Sequence, residues 1–457
     1  MIHTSYFKYL ISKNKRYLII LTLIAFICIP FSLRGMCTSS TDAKSLLMIM
    51  FVISMVLGDI VSFISPIKEF NFLMKKKSNN LYFSMPIERE QLFNTTLLYS
   101  LFSSMVPIVV NYLIASIVIM FKFAFDAHCF LYLFYLVFFM LVTTMISTFG
   151  VIKSNNTLDS VIISGGYFAV PIILMCCITI YLETITYDLT LGTGTYTSSF
   201  NWLFCMLSPI YASVQAFAIE SFNYLLIVYW LIIIGILVIA NVRAFNNRLA
   251  EETQEKTTSM LGYPLLMSVF IFSLVLAFFS AKFNFTNTCI TYLILFIIYM
   301  MMYFITVRKI EFNYKVIINY VVIILISYAF NFAYSSTLGF GQIHEMLNYN
   351  QYVSWDVEEV CFLDNGDYKD LVYTSSDRTC KDVLEALQEE LLKIGPDKTG
   401  NNTISIYIRT SKVNEEGRCY HFNDDQLNDV EKVLNKFKEN IKDKQYTTNS
   451  YNNALEE

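Results

Sequence analysis

Charge is what this chain has least of. Asp, Glu, Lys and Arg make up 15% of its 457 residues, against roughly 25% in an average soluble domain. That scarcity excludes an ordinary soluble globular protein. There is no G-x-x-x-x-G-K-[ST] stretch, so the chain carries no loop of that kind to cradle nucleotide phosphates. G-x-S-x-G, H-E-x-x-H and paired-cysteine zinc signatures are also missing. The four histidines, His3, His128, His344 and His421, are scattered and are expected to be structural or solvent-facing. No cluster of acidic or histidine residues gathers at either expected membrane face, so the expectation is no enzyme, no metal and no cofactor. The ten cysteines include no C-x-x-C. Most read as small buried hydrophobes, while Cys361, Cys380 and Cys419 in a polar tail can form one disulfide with one thiol left over.

Apolar residues fill the space that charge leaves. They make up 55% of the chain, with 16% aromatic, and several runs reach the ~20 residues that cross a bilayer. The fold class expected is an all-α polytopic membrane protein with a small α/β extracytoplasmic C-terminal domain. Nine apolar runs stand out, at about 17–33, 46–64, 93–121, 130–151, 161–182, 222–242, 261–281, 289–307 and 316–334. No small-residue cleavage site follows the first, so it is expected to be retained rather than removed as a signal peptide. With the N-terminus inside, the inner segments hold 16 Lys+Arg and the outer ones hold four: Arg34, Lys44, Lys122 and Lys282. That asymmetry sets the orientation: N-terminus cytoplasmic, tail extracytoplasmic. The tail differs in charge as well. From Ser336 onward lie 13 Lys+Arg and 23 Asp+Glu, net −10; the remaining 20 against 14 give +6.

The most informative loop is 66–92, between the second and third runs, with Lys68, Lys75, Lys76, Lys77 and Arg89. A basic loop there is cytoplasmic. Ile67, Phe70, Leu73 and Met74 recur at helical spacing, which predicts a short helix lying on the membrane surface. The expected organisation is an interfacial elbow helix over 1–16 and a six-helix core over 17–260. Three more spans follow over 261–335, and the tail domain covers 336–457. In the head, Ile2, Tyr6, Tyr9 and Leu10 form the apolar side. The third run is long and contains Pro107, so it is expected to tilt or kink. Segment 202–219, broken at Ser208-Pro209, is too short to span and predicts a re-entrant or interfacial hairpin. In the tail, 357–363 and 403–410 read as strands. Val383, Leu384, Leu387 and Leu391 mark a helix capped by Asp377 and stopped by Gly395-Pro396. Leu427, Val430, Leu434, Phe437 and Ile441 mark another, starting near Asp424.

Charged and polar residues within spans are the candidates for a pathway, because they are costly there. Asp59 suits a proton or cation site; its simpler reading is an interfacial carboxylate paired with a loop lysine. Asn111 suits a bond to a neighbouring helix. Glu220 marks an exit mouth or simply a helix start, and Pro209 marks the break in the outer segment. The aromatic and methionine content of the spans fits lipid contact and helix packing, and also a lateral route for an amphiphilic cargo.

Ser84-Met85-Pro86-Ile87-Glu88-Arg89, just before the third run, resembles the S-L-P-I-x-R signature of bacterial type II ABC exporter permeases, with Met85 in place of Leu. Leu207-Ser208-Pro209-Ile210 is also similar to a segment of that family. Arg248-Leu249-Ala250-Glu251 resembles the R-x-x-E stretch of antibiotic-exporter and acetoin-operon permeases of Gram-positive bacteria. The resemblance implies an elbow helix, six spans, outer short helices before the sixth, and a coupling helix after the second. It implies a separate cytoplasmic ATPase docking on Lys68, Phe70, Lys75–Lys77 and Ser84–Arg89, a second permease as homo- or heterodimer, and a lipid bilayer as surroundings, with no nucleic acid. Two other readings stay open: an ion-coupled secondary transporter using Asp59, and a membrane sensor whose external domain binds a ligand.

Overall fold

The structure is a computed structural model. It describes residues 3–31, 43–122, 128–185, 198–218, 224–249, 251, 253–255, 259–280, 285–336, 354–362, 368–375, 381–394, 402–409, 415–441 and 447–451. Helix dominates, and eight of the described helices are long and apolar enough to cross a membrane.

The chain divides into two compact units. The first comprises Met1–Leu174, Leu203–Ile271 and Tyr292–Ile317. It begins with α1 (Thr4–Phe26), capped by His3, whose Nδ1 accepts from the Tyr6 N–H at 3.3 Å. The separate elbow helix expected over 1–16 is not found: α1 runs unbroken from head to span and passes into π-helical Ile27–Phe31. Neither Gly nor Pro interrupts Thr4–Phe26, so the backbone ladder continues through Lys13, Lys15 and Arg16. Tyr6 and Leu10 are buried as the pattern predicts, whereas Tyr9 is exposed. Ile2 lies outside the described residues.

Next come α2 (Ala43–Glu69), a 3-10 turn (Phe70–Met74), α3 (Lys76–Phe83) and α4 (Arg89–Lys122). α4 passes Pro107 without a break, and Asn111 Nδ2 donates to Pro107 O at 2.7 Å. Then come α5 (His128–Ile152), α6 (Thr157–Ile185) and two short helices, α7 (Ser198–Leu207) and α8 (Pro209–Ala218). They are followed by α9 (Tyr224–Asn246), α10 (Tyr263–Ser280), α11 (Phe285–Val307) and α12 (Tyr314–Ser336). The run expected at 261–281 is the shorter one: α10 has 18 residues, ~27 Å at 1.5 Å per residue.

α2 packs against both α4 and α5. Small hydroxyl residues let these helices approach and bond across. Ser65 Oγ donates to Ser100 O at 2.9 Å, and Ser147 Oγ to Phe63 O at 2.7 Å. Such bonds suit helices that share no water to compete for the groups. At Gly150 an added Cβ would collide with Ser164, so the contact between α5 and α6 needs the glycine.

The second unit comprises Met175–Trp202, Phe272–Thr291 and Ile318–Glu457. Its last part holds five antiparallel strands in the order β4-β3-β1-β2-β5. They are β1 (Ser354–Phe362), β2 (Tyr368–Ser375), β3 (Asn402–Arg409), β4 (Glu415–Phe422) and β5 (Thr447–Tyr451). Every second residue, Trp355 and Val357, Ile404 and Ile406, Tyr420 and Phe422, joins one core with Leu384, Leu387 and Leu391 of α13 (Lys381–Ile394) and Val430, Leu434 and Phe437 of α14 (Leu427–Ile441). Three of the strands were not expected. At the backbone level β3 lies between positions 361 and 419, and the register sets 419 opposite 358 rather than 361; the two strand spacings alone are ~9.5 Å, too far for a disulfide. Cys380, Asp377 and Gly395-Pro396 lie outside the described residues.

Candidate functional site

The segment after α2 has two unlike halves. Pro66, Ile67, Lys68 and Glu69 continue α2. Phe70, Phe72, Leu73 and Met74 then turn inward and are buried, with Phe70 and Leu73 fully enclosed. They share a cluster with Tyr6 and Leu10 of α1, Phe93 of α4 and Phe245 of α9. This corrects the expectation of a helix resting on the membrane surface: the apolar face predicted from spacing meets protein instead. Lys68 belongs to this inner half. Its Nζ lies 3.0 Å from Glu69 Oε1 and 3.4 Å from the centre of the Tyr17 ring, and Glu69 also accepts from Asn14 of α1 at 3.1 Å.

The second half faces out. Lys75, Lys76 and Lys77 are exposed at the start of α3, and Leu81 is 64% exposed. The one buried residue of α3 is Asn79, whose Nδ2 donates to Thr253 Oγ1 at 2.7 Å. The following turn shows what each residue of the resemblance does. Ser84 Oγ closes the end of α3 on Leu81 O at 2.9 Å. Met85 and Ile87 lean on the buried cluster while Pro86 and Glu88 are exposed. Arg89 opens α4, stacks 4.6 Å over Phe83 and donates to Asn246 O at 3.0 Å and Arg248 O at 3.1 Å.

Those two carbonyls end α9 and lead into a second loop, described at 247–249, 251 and 253–255, which fastens a third, 153–157. Arg248 is buried, with 3% exposure. It donates through Nη1 to Ile152 O at 2.6 Å, the end of α5, and through Nη2 to Leu73 O at 3.3 Å. A guanidinium at the carbonyl end of a helix satisfies orphan acceptors and meets the negative end of the dipole. Thr253 Oγ1 also donates to Leu73 O, at 3.2 Å. Gln254, at φ 68°, donates its N–H to Asn155 O at 2.9 Å. Asn156 Nδ2 donates to Glu255 O at 3.1 Å, and Thr157 Oγ1 to Asn71 Oδ1 at 3.2 Å. Hydrogen bonds and packed rings therefore join α3 and its turn to the ends of α2, α4, α5 and α9.

A further node went unread in the sequence. Asp159, buried at the start of α6, accepts from Tyr263 OH at 2.9 Å, from Asn156 Nδ2 at 3.2 Å and from Arg308 Nη2 at 3.2 Å. It joins the start of α10 and the end of α11 to the helices before them. An acidic residue in the first turn of a span was its only local signal. Partners 104 and 149 residues away leave no pattern to find.

The remaining candidates are held separately. Asp59 Oδ1 accepts from Thr143 Oγ1 of α5 at 2.9 Å. Among the described residues it forms no ion pair, so the expected loop-lysine partner is replaced by a hydroxyl. The lysines of the loop are held or exposed elsewhere. Asn111 Nδ2 bonds Thr22 O of α1 at 3.1 Å. Pro209 is buried at the first position of α8, where its missing N–H is not needed. Ser208 Oγ, just before it, accepts from the Tyr211 N–H at 3.3 Å. Trp230 Nε1 donates to Cys205 O at 3.1 Å, tying the end of α7 to α9. Glu220 lies outside the described residues. Among the described residues, no three of His, Cys, Asp and Glu gather as metal ligands would. Comparison with protein-family models, with curated proteins and with solved structures finds no match to this chain.

Proposed function

We propose that this chain is the membrane-spanning permease subunit of an ATP-driven exporter. A separate cytoplasmic ATPase docks on α3 and the turn that follows. The observation that carries this reading is the pairing of an exposed basic helix with a buried fastening system directly behind it. Lys75–Lys77 and Leu81 offer a docking face; Asn79, Arg89 and Arg248 link that face to four helix ends. A surface loop with no mechanical duty has no need of such links. When ATPase subunits close on nucleotide, docked helices move together, and one of two packings of the spans is favoured. The lack of a nucleotide loop of the G-x-x-x-x-G-K-[ST] form is compatible with that division of labour. The cargo is an amphiphile, a lipid or a peptide antibiotic, and a second permease completes the pathway.

The proposed location is the cell membrane, with the N-terminus cytoplasmic and the five-stranded tail extracytoplasmic. The start of α10 and the end of α11 both bond Asp159, so the two helices leave and return at one end. α12 then carries the chain across once more. On this reading α10 is a ninth crossing despite its length.

The test is co-purification and crosslinking from Leu81→Cys. A nucleotide-hydrolysing subunit crosslinked there, and released when Lys75–Lys77 become Gln, is the expected result. Outward accessibility of residue 81 in intact cells would sink the assignment. Within the turn, Glu88→Ala is expected to lower transport per ATP while leaving insertion intact, and unchanged coupling would argue against the turn's role.

One observation favours a second reading. Asp59 sits within a span with a hydroxyl rather than a cation as its partner, as a proton or cation site of an ion-coupled transporter would. Transport driven by an ion gradient without ATP, and lost in Asp59→Asn, would select it.

A further inference from the structure

Behind the fastening loops lies a half-open cleft of about 500 Å³, walled by the last turn of α5, the last turns of α9 and the segment near Leu261. Two of its cations are unused. Arg243, on α9, and Lys153, just past α5, form no ion pair among the described residues. The Lys153 ammonium lies 5.8 Å from the centre of the Phe149 ring. One carboxylate, Glu255, also borders the cleft. Asn155, Asn247, Ser259 and the engaged Arg248 add polar groups, and Phe149, Ile152, Ala240 and Ala244 supply an apolar wall. Ala240 and Ala244 stand one turn apart, and their short side chains leave room between the helices.

Arg243 also ends a ridge. Ile232, Ile236 and Ile239 precede it at intervals of four and three residues, on one face of α9. They are 57%, 57% and 55% exposed. An exposed isoleucine ridge on a span faces hydrocarbon. It leads directly to a cation at the end of the helix, where the hydrocarbon gives way to water.

We propose that the cleft is a binding site for one anionic phospholipid. Its phosphodiester lies between Lys153 and Arg243, and its acyl chains lie along Ile232, Ile236 and Ile239. Basic residues near a membrane surface attract anionic lipid electrostatically, and the ridge supplies apolar contact that a free phosphate cannot use. The proposal does not depend on the ATPase reading.

The experiment uses the full-length protein, delipidated in detergent, with bound lipid counted by native mass spectrometry. The ligands titrated are phosphatidylglycerol, phosphatidylcholine and inorganic phosphate. The expected result is tight retention of one phosphatidylglycerol, with phosphatidylcholine much weaker. Removing both cations in Lys153→Gln/Arg243→Gln should weaken phosphatidylglycerol by roughly 30-fold. Lys153→Arg/Arg243→Lys, which keeps both charges, should retain it, and this pair separates loss of a site from loss of fold. Three results would overturn the proposal: equal retention of the two lipids, unchanged binding in the Gln double variant, or displacement of phosphatidylglycerol by equimolar phosphate. Equal loss in Lys75→Gln/Lys76→Gln/Lys77→Gln would also overturn it, since the attraction would then be diffuse.

Discussion

Residues 70–74 and 75–83 are neighbours in the chain and opposites in their surroundings. The first group is a core: Phe70 and Leu73 have no exposure, and rings from α1, α4 and α9 close around them. The second is a surface, with three successive lysines facing out and one buried asparagine holding the helix down. A loop that served only to connect two spans would need neither. A core next to an exposed helix makes that helix stiff, because packed interiors transmit displacement rather than absorb it, and the proposed docking on it would use that stiffness. If that contrast is correct, damage to the inner half should cost stability, and damage to the outer half should cost only communication. The largest effect is expected from Phe70→Ala. Removing a fully buried aromatic ring costs ~3–5 kcal/mol, and melting of the purified protein should fall steeply. A melting temperature equal to that of the parent chain would mean that the buried cluster is not the anchor.

Arg248→Met should come next. It keeps volume but strips Ile152 O of its guanidinium donor and leaves Leu73 O with Thr253 Oγ1 alone; a buried acceptor so stranded costs ~1–3 kcal/mol. The loops 70–89, 153–157 and 247–255 should then become susceptible to limited proteolysis together. Cleavage confined to 247–255 would show that the three are not one body. Asn79→Ala is smaller, ~1 kcal/mol for the lost bond to Thr253. Its value is that it spares every exposed side chain of α3. Partner binding should survive while transport per ATP falls. A drop in binding equal to the drop in transport would mean that Asn79 shapes the face rather than anchoring it.

Much of this architecture was legible in the sequence, for reasons that also mark where legibility ends. The apolar runs announced the spans because hydrocarbon tolerates nothing else. In the tail, Leu384, Leu387 and Leu391 announced α13 through their spacing. The continuity of α1 was legible and missed: a charged stretch does not end a helix that lacks Gly and Pro. The burial of Phe70, Leu73 and Met74 was not legible. Their spacing shows that one face is apolar, but lipid headgroups and a protein core make the same demand on it. β4, EEGRCYHF, was missed because its charged first half hides the alternation carried by Tyr420 and Phe422. The fastening residues were the least legible of all. Arg248 fell within a motif, but its partners Ile152 O and Leu73 O are backbone atoms, 96 and 175 residues away, and carbonyls carry no signature. The Asp59 partner was misjudged similarly: Thr143 is an ordinary span residue until α5 turns it toward the carboxylate.

The smallest structural effect should accompany the most informative functional one. Lys75, Lys76 and Lys77 are exposed, and none of their ammonium groups is in an ion pair among the described residues. Replacing all three by Gln removes charge without removing a contact, and exposed substitutions of this kind usually stay within ~0.5 kcal/mol of neutral. Melting should be unchanged. Binding of the cytoplasmic partner should weaken, and in the parent chain it should weaken in the same way as salt is raised, because exposed charges more than ~8 Å apart are screened at physiological ionic strength. The two effects should not add: at high salt the triple variant and the parent should bind alike. If the variant instead lost stability, 75–77 would belong to the core. If salt weakened the variant as much as the parent, the attraction would reside on other residues. In either case the division between an inner anchor and an outer face would fall at some residue other than Lys75.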